Sequence, residues 1–587
     1  MSDLLIDAFV PLARLTLGDG YDGKIRERWA RPLAHLLEAA SRGKGQLPLS
    51  QCPVDSDAPP EFFTVVNGMV LLPRNAAYWC EVRDRIETLH RQATNPLSDA
   101  AVSEALADIL PPMQERADNG AIIFDNSEQR LATAAFVDAR IGVLTGGPGT
   151  GKTTSAAALL AIRKRLEPQL SADDVLLCAP TGKAACRLAE SMKAAASRLG
   201  LETSERDFLC ALVPRTIHKA LEWGPKAPEQ GGPFSRRPER PLTQKLVLVD
   251  EASMVDLHLM THLLRALTPQ ASLLLLGDSD QLESVDTGGV LAELVSRGTA
   301  GQPAPEQLKR WHRRLCTDAR QILDDGSPPV NAVAPLPGLV VRLRHSYRAM
   351  KSPWILELAA IAQPGKSGTI ADFLACCRRC APNIRLHQHR SGLSAVCCEQ
   401  WRQAQNTTAS WTLASRPSDS ALNDHLKQFQ LLCGDNAQVD RANRIGTTAL
   451  WSDSTQYGSL GLPHGCPVLV TQNRPALGLA NGDIGVAFGT AAGQAAQVVV
   501  FPGIVAPITI AQLPEYQPAF ALTIHKSQGS EWEKVAIDLP SESELLDRNL
   551  LYTAISRSSG TLELYADVEK ALAPILSGPY DAKSGRG

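Results

Sequence analysis

Gly146-Gly147-Pro148-Gly149-Thr150-Gly151-Lys152-Thr153 is the segment that most restricts how this chain can fold. It fits G-x-x-x-x-G-K-[ST], follows the apolar run Ile141 to Thr145 and precedes a helical pattern, which is the strand-loop-helix setting such a loop needs. There the glycines let backbone N–H groups turn inward around phosphate oxygens, and the helix N-terminus adds partial positive charge. Lys152 is expected to reach the β and γ phosphates of ATP and Thr153 to ligate Mg²⁺, with Thr154 completing the nucleotide-binding set.

Further apolar runs at Val175 to Ala179, Leu246 to Val249 and Leu273 to Leu276 each precede an amphipathic segment. That alternation predicts a parallel sheet covered by helices, with ligands at the Gly-, Asp- or Thr-bearing loops that end the strands. At roughly 150 residues per domain, 587 residues allow about four units. Residues 1–115 carry no chemical motif. A first α/β unit is expected over 116–335, with a proline-rich loop or small insertion at 224–241 that contains the basic run Ser235 to Arg240. Gly326 to Pro337 reads as an interdomain linker, and 336–577 as a second α/β unit with strands near Val340 and at Trp411 to Ala414, Ala519 to Thr523, Val535 to Asp538 and Leu562 to Leu564. Within it, about 460–518 is patterned as a β insertion around Asn481-Gly482-Asp483, and 578–587 as a frayed tail.

Composition removes several classes. With 59 basic and 62 acidic residues, any nucleic-acid surface has to be a local groove. No apolar stretch approaches the roughly 20 residues that cross a bilayer, and the acidic N-terminus does not resemble a secretion signal. Thirteen cysteines in no regular framework suit a reducing cytoplasm, where the chain is expected. Cys377 and Cys380 have C-x₂-C spacing, but Cys397 and Cys398 are adjacent, so the cluster from Cys376 onward is expected to be thiols without a metal.

The chemistry beyond the loop comes from three further segments. The run Leu246 to Val249 delivers Asp250 and Glu251 to one sheet edge, where Asp250 suits the Mg²⁺ shell and Glu251 suits deprotonation of an attacking water. Gly277-Asp278-Ser279-Asp280-Gln281-Leu282 sets the Gln281 amide where a γ-phosphate is sensed. Arg348 and Arg557, expected on the second unit, suit the charge that develops in phosphoryl transfer. Thr181, Lys183, His218, Thr523 and His525 follow strands or begin helices and offer donors to DNA phosphates. Trp354 and Trp532 are candidates either for base stacking or for core positions.

This order of segments resembles superfamily 1 helicases from Asn126 to about Ser558, and Gln129 is similar to their adenine-reading Q motif. Also matching are Ala179-Pro180-Thr181-Gly182-Lys183-Ala184-Ala185, Thr216-Ile217-His218-Lys219, Tyr347-Arg348, Asn481 to Gly485, Thr523 to Trp532 and Tyr552 to Arg557. Within that superfamily the chain resembles the RecD family, the alpha subunits of exodeoxyribonuclease V. The resemblance implies two RecA-like P-loop NTPase domains, a small SH3-like insertion and a mainly helical N-terminal domain that docks on a RecC-like subunit. It further implies ATP-dependent 5′→3′ translocation on single-stranded DNA from DNA ends, in a heterotrimer with RecB- and RecC-like subunits and without nuclease chemistry in this chain. The alternatives are a regulatory ATP- and DNA-binding subunit that does not unwind by itself, or a helicase acting on RNA.

Overall fold

The computed structural model describes residues 46–49, 63–66, 69–92, 97–116, 122–224, 233–282, 289–299, 338–346, 352–364, 368–387, 393–408, 410–411, 415–450, 461–489, 496–540 and 546–577, with a few single positions between them. The linker expected at Gly326 to Pro337, the tail, residues 412–414, and Tyr347 and Arg348 lie outside these.

Near the N-terminus three short antiparallel strands, at Gln46–Pro48, Thr64–Val66 and Met69–Leu71, lead into α1 (Pro73–Arg91). Ala76, Trp79, Val82, Ile86 and Leu89 recur at helical spacing along α1 and are all buried. The stripe does not make a separate core: it packs into one cluster with Ile141, Val143 and Leu263 of the next unit. Fully burying an aliphatic side chain stabilises by about 1.5–3 kcal/mol, so this seam outweighs the half-exposed Arg265–Glu81 pair on its rim. The N-terminal segment expected as a docking domain thus shares, through its described helix α1, the core of the first motor unit.

That unit contains, in order, α2 (Ser127–Phe136), β1 (Ile141–Gly146), α3 (Lys152–Leu166), β2 (Val175–Ala179), α4 (Gly182–Ala196), β3 (Arg215–Thr216), β4 (Leu246–Val249), α5 (Leu257–Ala266), β5 (Ser272–Gly277) and β6 (Val340–Leu343). The strands form one parallel sheet in the order β6-β1-β5-β4-β2-β3. All six residues of β1 are buried, which is why its sequence is a continuous apolar run rather than an alternation. β6 corrects the expected boundary at 336. Val340 pairs with Val143 and Leu343 with Gly146, so the chain returns to the first sheet after the proline-rich stretch instead of beginning the second.

After helices at Pro353–Ala362 and Ile370–Arg379, the second unit's sheet begins with β7 (Ile384–His387) and β8 (Phe429–Cys433), followed by α6 (Asn436–Leu450). Next comes an inserted antiparallel sheet of β9 (Pro467–Val470), β10 (Ile484–Gly489), β11 (Ala496–Val500), β12 (Ile508–Thr509) and β13 (Tyr516–Pro518). Its strand order is β12-β11-β10-β9-β13, a five-stranded sheet where a small β insertion was expected. The host sheet resumes with β14 (Ala521–Thr523), β15 (Trp532–Asp538), α7 (Arg548–Ile555) and β16 (Ser558–Tyr565), all parallel in the order β7-β16-β15-β8-β14. Two parallel sheets covered by helices are thus present, as expected of a paired RecA-like motor.

Candidate functional site

The glycine loop connects β1 to α3 as expected. Gly149 and Gly151 have φ of 74° and 87°, a left-handed backbone that side chains with a Cβ rarely adopt. A Cβ on Gly146 would stand 2.6 Å from the Leu343 carbonyl oxygen of β6, so the crowded sheet also demands glycine there. The Lys152 ammonium lies in the loop's mouth and donates to the carbonyls of Gly146 at 2.6 Å and Gly147 at 3.1 Å. Thr150 donates its hydroxyl to the Gly147 carbonyl at 2.9 Å, and Gln129 donates to the Thr150 carbonyl at 2.8 Å from the buried start of α2. The Gln129 Oε1 is buried with no hydrogen-bond partner. Thr153 and Thr154 stand half-buried in the first turn of α3, and Ser346 donates to the Pro148 carbonyl at 2.9 Å. The segment that leads to Arg348 therefore lies against this loop, although Arg348 itself is outside the described residues.

Asp250 and Glu251 sit at the end of β4, where Glu251 has φ of 52°, an uncommon conformation for a residue that is not glycine. Its N–H donates to Asp250 Oδ1 at 2.9 Å. Burial, and then the like charge of Glu251, push the Asp250 carboxyl up to about 6, against the opposing pull of Lys152 and Arg187. A carboxylate held at a cost beside a lysine in a cleft suits a divalent metal, which would restore its preference for the charged form.

Residues 277–282, which follow β5, are held by both units. Gln281 donates to Asp278 Oδ2 at 3.0 Å, and from α7 the Tyr552 hydroxyl donates to the same oxygen at 3.1 Å. Thr553 Oγ1 accepts from the Leu282 N–H at 2.9 Å, and Gln528 donates to the Leu282 carbonyl at 2.7 Å. Burial, and then the Asp280 charge, raise the Asp278 carboxyl above its ordinary range, and burial raises the Tyr552 phenol well above its own. A second seam lies beside Glu251: a Cβ on Gly529 would stand 3.8 Å from Glu251 Oε1 and 3.9 Å from Arg187 Nη1.

Arg557 is 4% exposed, and its guanidinium donates to the Thr553 and Ser530 carbonyls and to Ser556 Oγ, all in its own unit, rather than to the glycine loop. Thr181 caps α4 and Thr523 caps the turn after β14: each hydroxyl oxygen accepts a backbone N–H three residues on and keeps its own hydrogen to donate. Lys183, in the first turn of α4, lies under the loop that precedes β10. A Cβ on Gly182 would stand 2.7 Å from Ala480 Cβ, and one on Gly482 would stand 3.9 Å from Lys183 Cβ. Burial, with Arg187 adding to it and Asp483 opposing, pushes the Lys183 ammonium down to about 8. His218 lies against Trp223 and Phe234, and burial lowers the pKa of both His218 and His525.

Of the two places open to the tryptophans, Trp532 takes the interior of the second core, and Trp354 stands half-buried at its edge, donating its indole N–H to the Gly560 carbonyl at 2.9 Å. The basic run is largely neutralised: Arg236 and Arg240 pair with Glu222, and Arg237 with Glu239. In the cysteine cluster, the Cys376 and Cys380 sulfurs are 4.0 Å apart beside Glu357, whose carboxylate is already taken by Arg379. Asp278, Tyr552, Arg187 and Gly529 join the site without having stood out as individual residues. Asp278, Tyr552 and Gly529 are signalled only by membership of matching segments, and Arg187, just beyond Ala179 to Ala185, by none.

Residues 129–287 match the AAA domain family and residues 518–565 the UvrD-like helicase C-terminal domain family. A RecBCD enzyme subunit RecD from Mycolicibacterium smegmatis is 34% identical over 443 residues, covering 73% of this chain and 69% of that one. The subunit of the same name from Haemophilus influenzae is 28% identical, covering 85% of this chain and 76% of that one. The ATP-dependent RecD2 DNA helicase of Deinococcus radiodurans is 29% identical, covering 74% of this chain and 48% of that one. Among solved structures, Pif1 helicase from Candida albicans aligns at 16% identity with a TM-score of 0.40, covering 77% of this chain and 96% of that one, a superposition too loose to bear on function.

Proposed function

The chain belongs to the RecD family, and from that premise we propose that it is the ATP-dependent DNA helicase subunit of a RecBCD-type exodeoxyribonuclease V, moving 5′→3′ on single-stranded DNA. The observation that carries this reading is the convergence of segments far apart in sequence across one cleft: residues 277–282 of the first unit bond to Gln528, Tyr552 and Thr553 of the second. A nucleotide pocket bounded by two units is what couples hydrolysis to motion between them.

Bound ATP with Mg²⁺ supplies the anhydride whose cleavage drives the cycle and the cation that neutralises its phosphates. The residues present fit that group: the loop from Gly146 to Gly151 offers backbone N–H donors, Lys152 a cation for the terminal phosphates, and Thr153 with Asp250 the metal ligands. Gln129 holds the loop through Thr150, and its unpartnered Oε1 suits a donor on the base. Glu251 accepts the proton of the attacking water, and Gln281 reads the terminal phosphate. Arg348 and Arg557 supply cations as the cleft tightens, which for Arg557 requires release from its present carbonyl partners. Thr181, Lys183, His218, Thr523 and His525 grip strand phosphates near the ends of the parallel strands.

RecB- and RecC-like chains are the proposed partners, with residues 1–115 as the docking region and the inserted sheet as an SH3-like module. The neutralised basic run at 236–240 favours, as a second reading, a subunit that binds ATP and DNA without unwinding by itself. Strand displacement on 5′- and 3′-tailed duplexes, by the chain alone and with its partners, separates the two, and RNA against DNA as ATPase activator tests the substrate. Lys152→Gln is expected to lower DNA-stimulated hydrolysis by at least about 100-fold while the fold persists; near-normal turnover in that variant sinks the assignment.

A further inference from the structure

Asp278 is 1% exposed, and its Oδ2 receives one hydrogen bond from each motor unit, from Gln281 at 3.0 Å and from Tyr552 at 3.1 Å. Its Oδ1 is occupied as well, accepting the Asp280 N–H at 3.1 Å, so the carboxylate has one fixed orientation. Tyr552 is 6% exposed, and its hydroxyl lies 3.2 Å from where a Cβ on Gly147 would stand, against the first turn of the phosphate loop. Gln281 commits its amide nitrogen to Asp278, while its Oε1 is buried with no hydrogen-bond partner. An amide rotates freely unless one end is fixed, and here the fixing group is a carboxylate shared with the opposite unit.

We propose that Tyr552 is a positioning residue for hydrolysis: by donating across the cleft to Asp278 it fixes the carboxylate that orients the Gln281 amide, so the sensor is set only while the two motor units are docked. This rests on the ATPase reading above. Docking of α7, which Thr553 anchors at Leu282, is what brings the phenol to Asp278. When the units separate, Asp278 loses one of its three donors, and Gln281 gains rotational freedom at the loop.

Tyr552→Phe removes the hydroxyl and keeps the ring. In the full chain it is expected to lower the kcat of DNA-stimulated hydrolysis by about 10- to 100-fold, the size of losing a hydrogen bond to a charged group, while KM changes less than about threefold. The readout independent of turnover is binding of a fluorescent ADP with and without aluminium fluoride. The variant should bind ADP alone as the parent does and lose about tenfold in affinity for the fluoride complex, which demands a set sensor. Asp278→Asn should behave alike, and the double variant should be no worse than the poorer single one, since both break a single chain of contacts. Should Tyr552→Phe fail to fold, the same two measurements on Asp278→Asn alone decide between the outcomes. Parental kcat in the folded variants, or equal weakening of ADP with and without fluoride, overturns the proposal. Lys152→Gln run beside them separates the failures: if it keeps turnover, the ATPase reading falls, whereas if it is inactive and the other variants are normal, only the role of Tyr552 falls.

Discussion

The two parallel sheets place comparable groups at comparable positions, yet only one leaves them open. After β1 the first unit devotes five residues, 147–151, to a glycine loop before α3 begins at Lys152, and Asp250 at the end of β4 has a lysine nearby rather than a side-chain amide closing it off. After β8 the second unit uses only Gly434 and Asp435 before α6. There Gln438 accepts the Gly434 N–H at 3.1 Å and donates to Asp538 Oδ2 at 2.9 Å, and both side chains are buried. A carboxylate with one oxygen held by an amide is less free to turn toward a metal, and a short turn cannot wrap phosphates. The second unit contributes instead by reaching across, through Tyr552, Thr553 and Gln528.

The largest expected effect tests the open side. Asp250→Asn should lower hydrolysis at least about 100-fold, because an amide cannot supply the charged ligand that the metal needs. Stability should move the other way. Because the folded value lies above the ordinary 3.8, the favourable contribution of the protonated form is complete below that value and lost as pH rises through about 6. At pH 8 and without metal, Asp250→Asn should therefore melt about 2 °C higher than the parent, and a lower midpoint in calorimetry would contradict the cost assigned to this site.

A smaller effect is expected at the seam between α4 and the inserted sheet. Lys183→Ala should weaken single-stranded DNA binding about three- to tenfold and make the slope of log affinity against log salt shallower by about 0.7, as for one lost phosphate contact. An unchanged slope in a fluorescence titration would make Lys183 a packing residue of that seam. The smallest functional effect belongs to the closed side. Gln438→Leu leaves Asp538 without its amide and should destabilise the second unit by about 1–3 kcal/mol in denaturant unfolding, with nucleotide affinity within about twofold of the parent. A large loss of nucleotide binding would erase the contrast between the sheets.

How much of this is legible in the sequence follows the range over which each feature is determined. Val175 to Ala179 and Leu246 to Val249 coincide with β2 and β4, because a strand buried on both faces shows itself as an unbroken apolar run. The glycine loop and the two carboxylates at the end of β4 are equally local. β6 reads as part of the wrong unit because its partner, β1, lies some two hundred residues earlier, and a proline-rich approach has the same composition whether the chain moves on or turns back. Tyr552, Asp278 and Arg187 are invisible as individuals, since their directions depend on docking and not on any local period. Trp532 shows the complementary case: of the two roles its neighbourhood left open, the structure gives it the interior, while Trp354 stays half-buried at the edge of the same core.

The first and last strands of the inserted sheet lie side by side. Val468 of β9 faces Pro518 of β13, and the Ala519 N–H donates to the Pro467 carbonyl, so the backbone leaves and rejoins the parent scaffold at almost the same spot. The sheet's inner face is nevertheless part of the host: Val468, Ala487 and Phe501 share one core with Leu431, Ala521 and Tyr565. Its exposed loops can therefore vary without cost to the engine, whereas changes on its inner face reach straight into it.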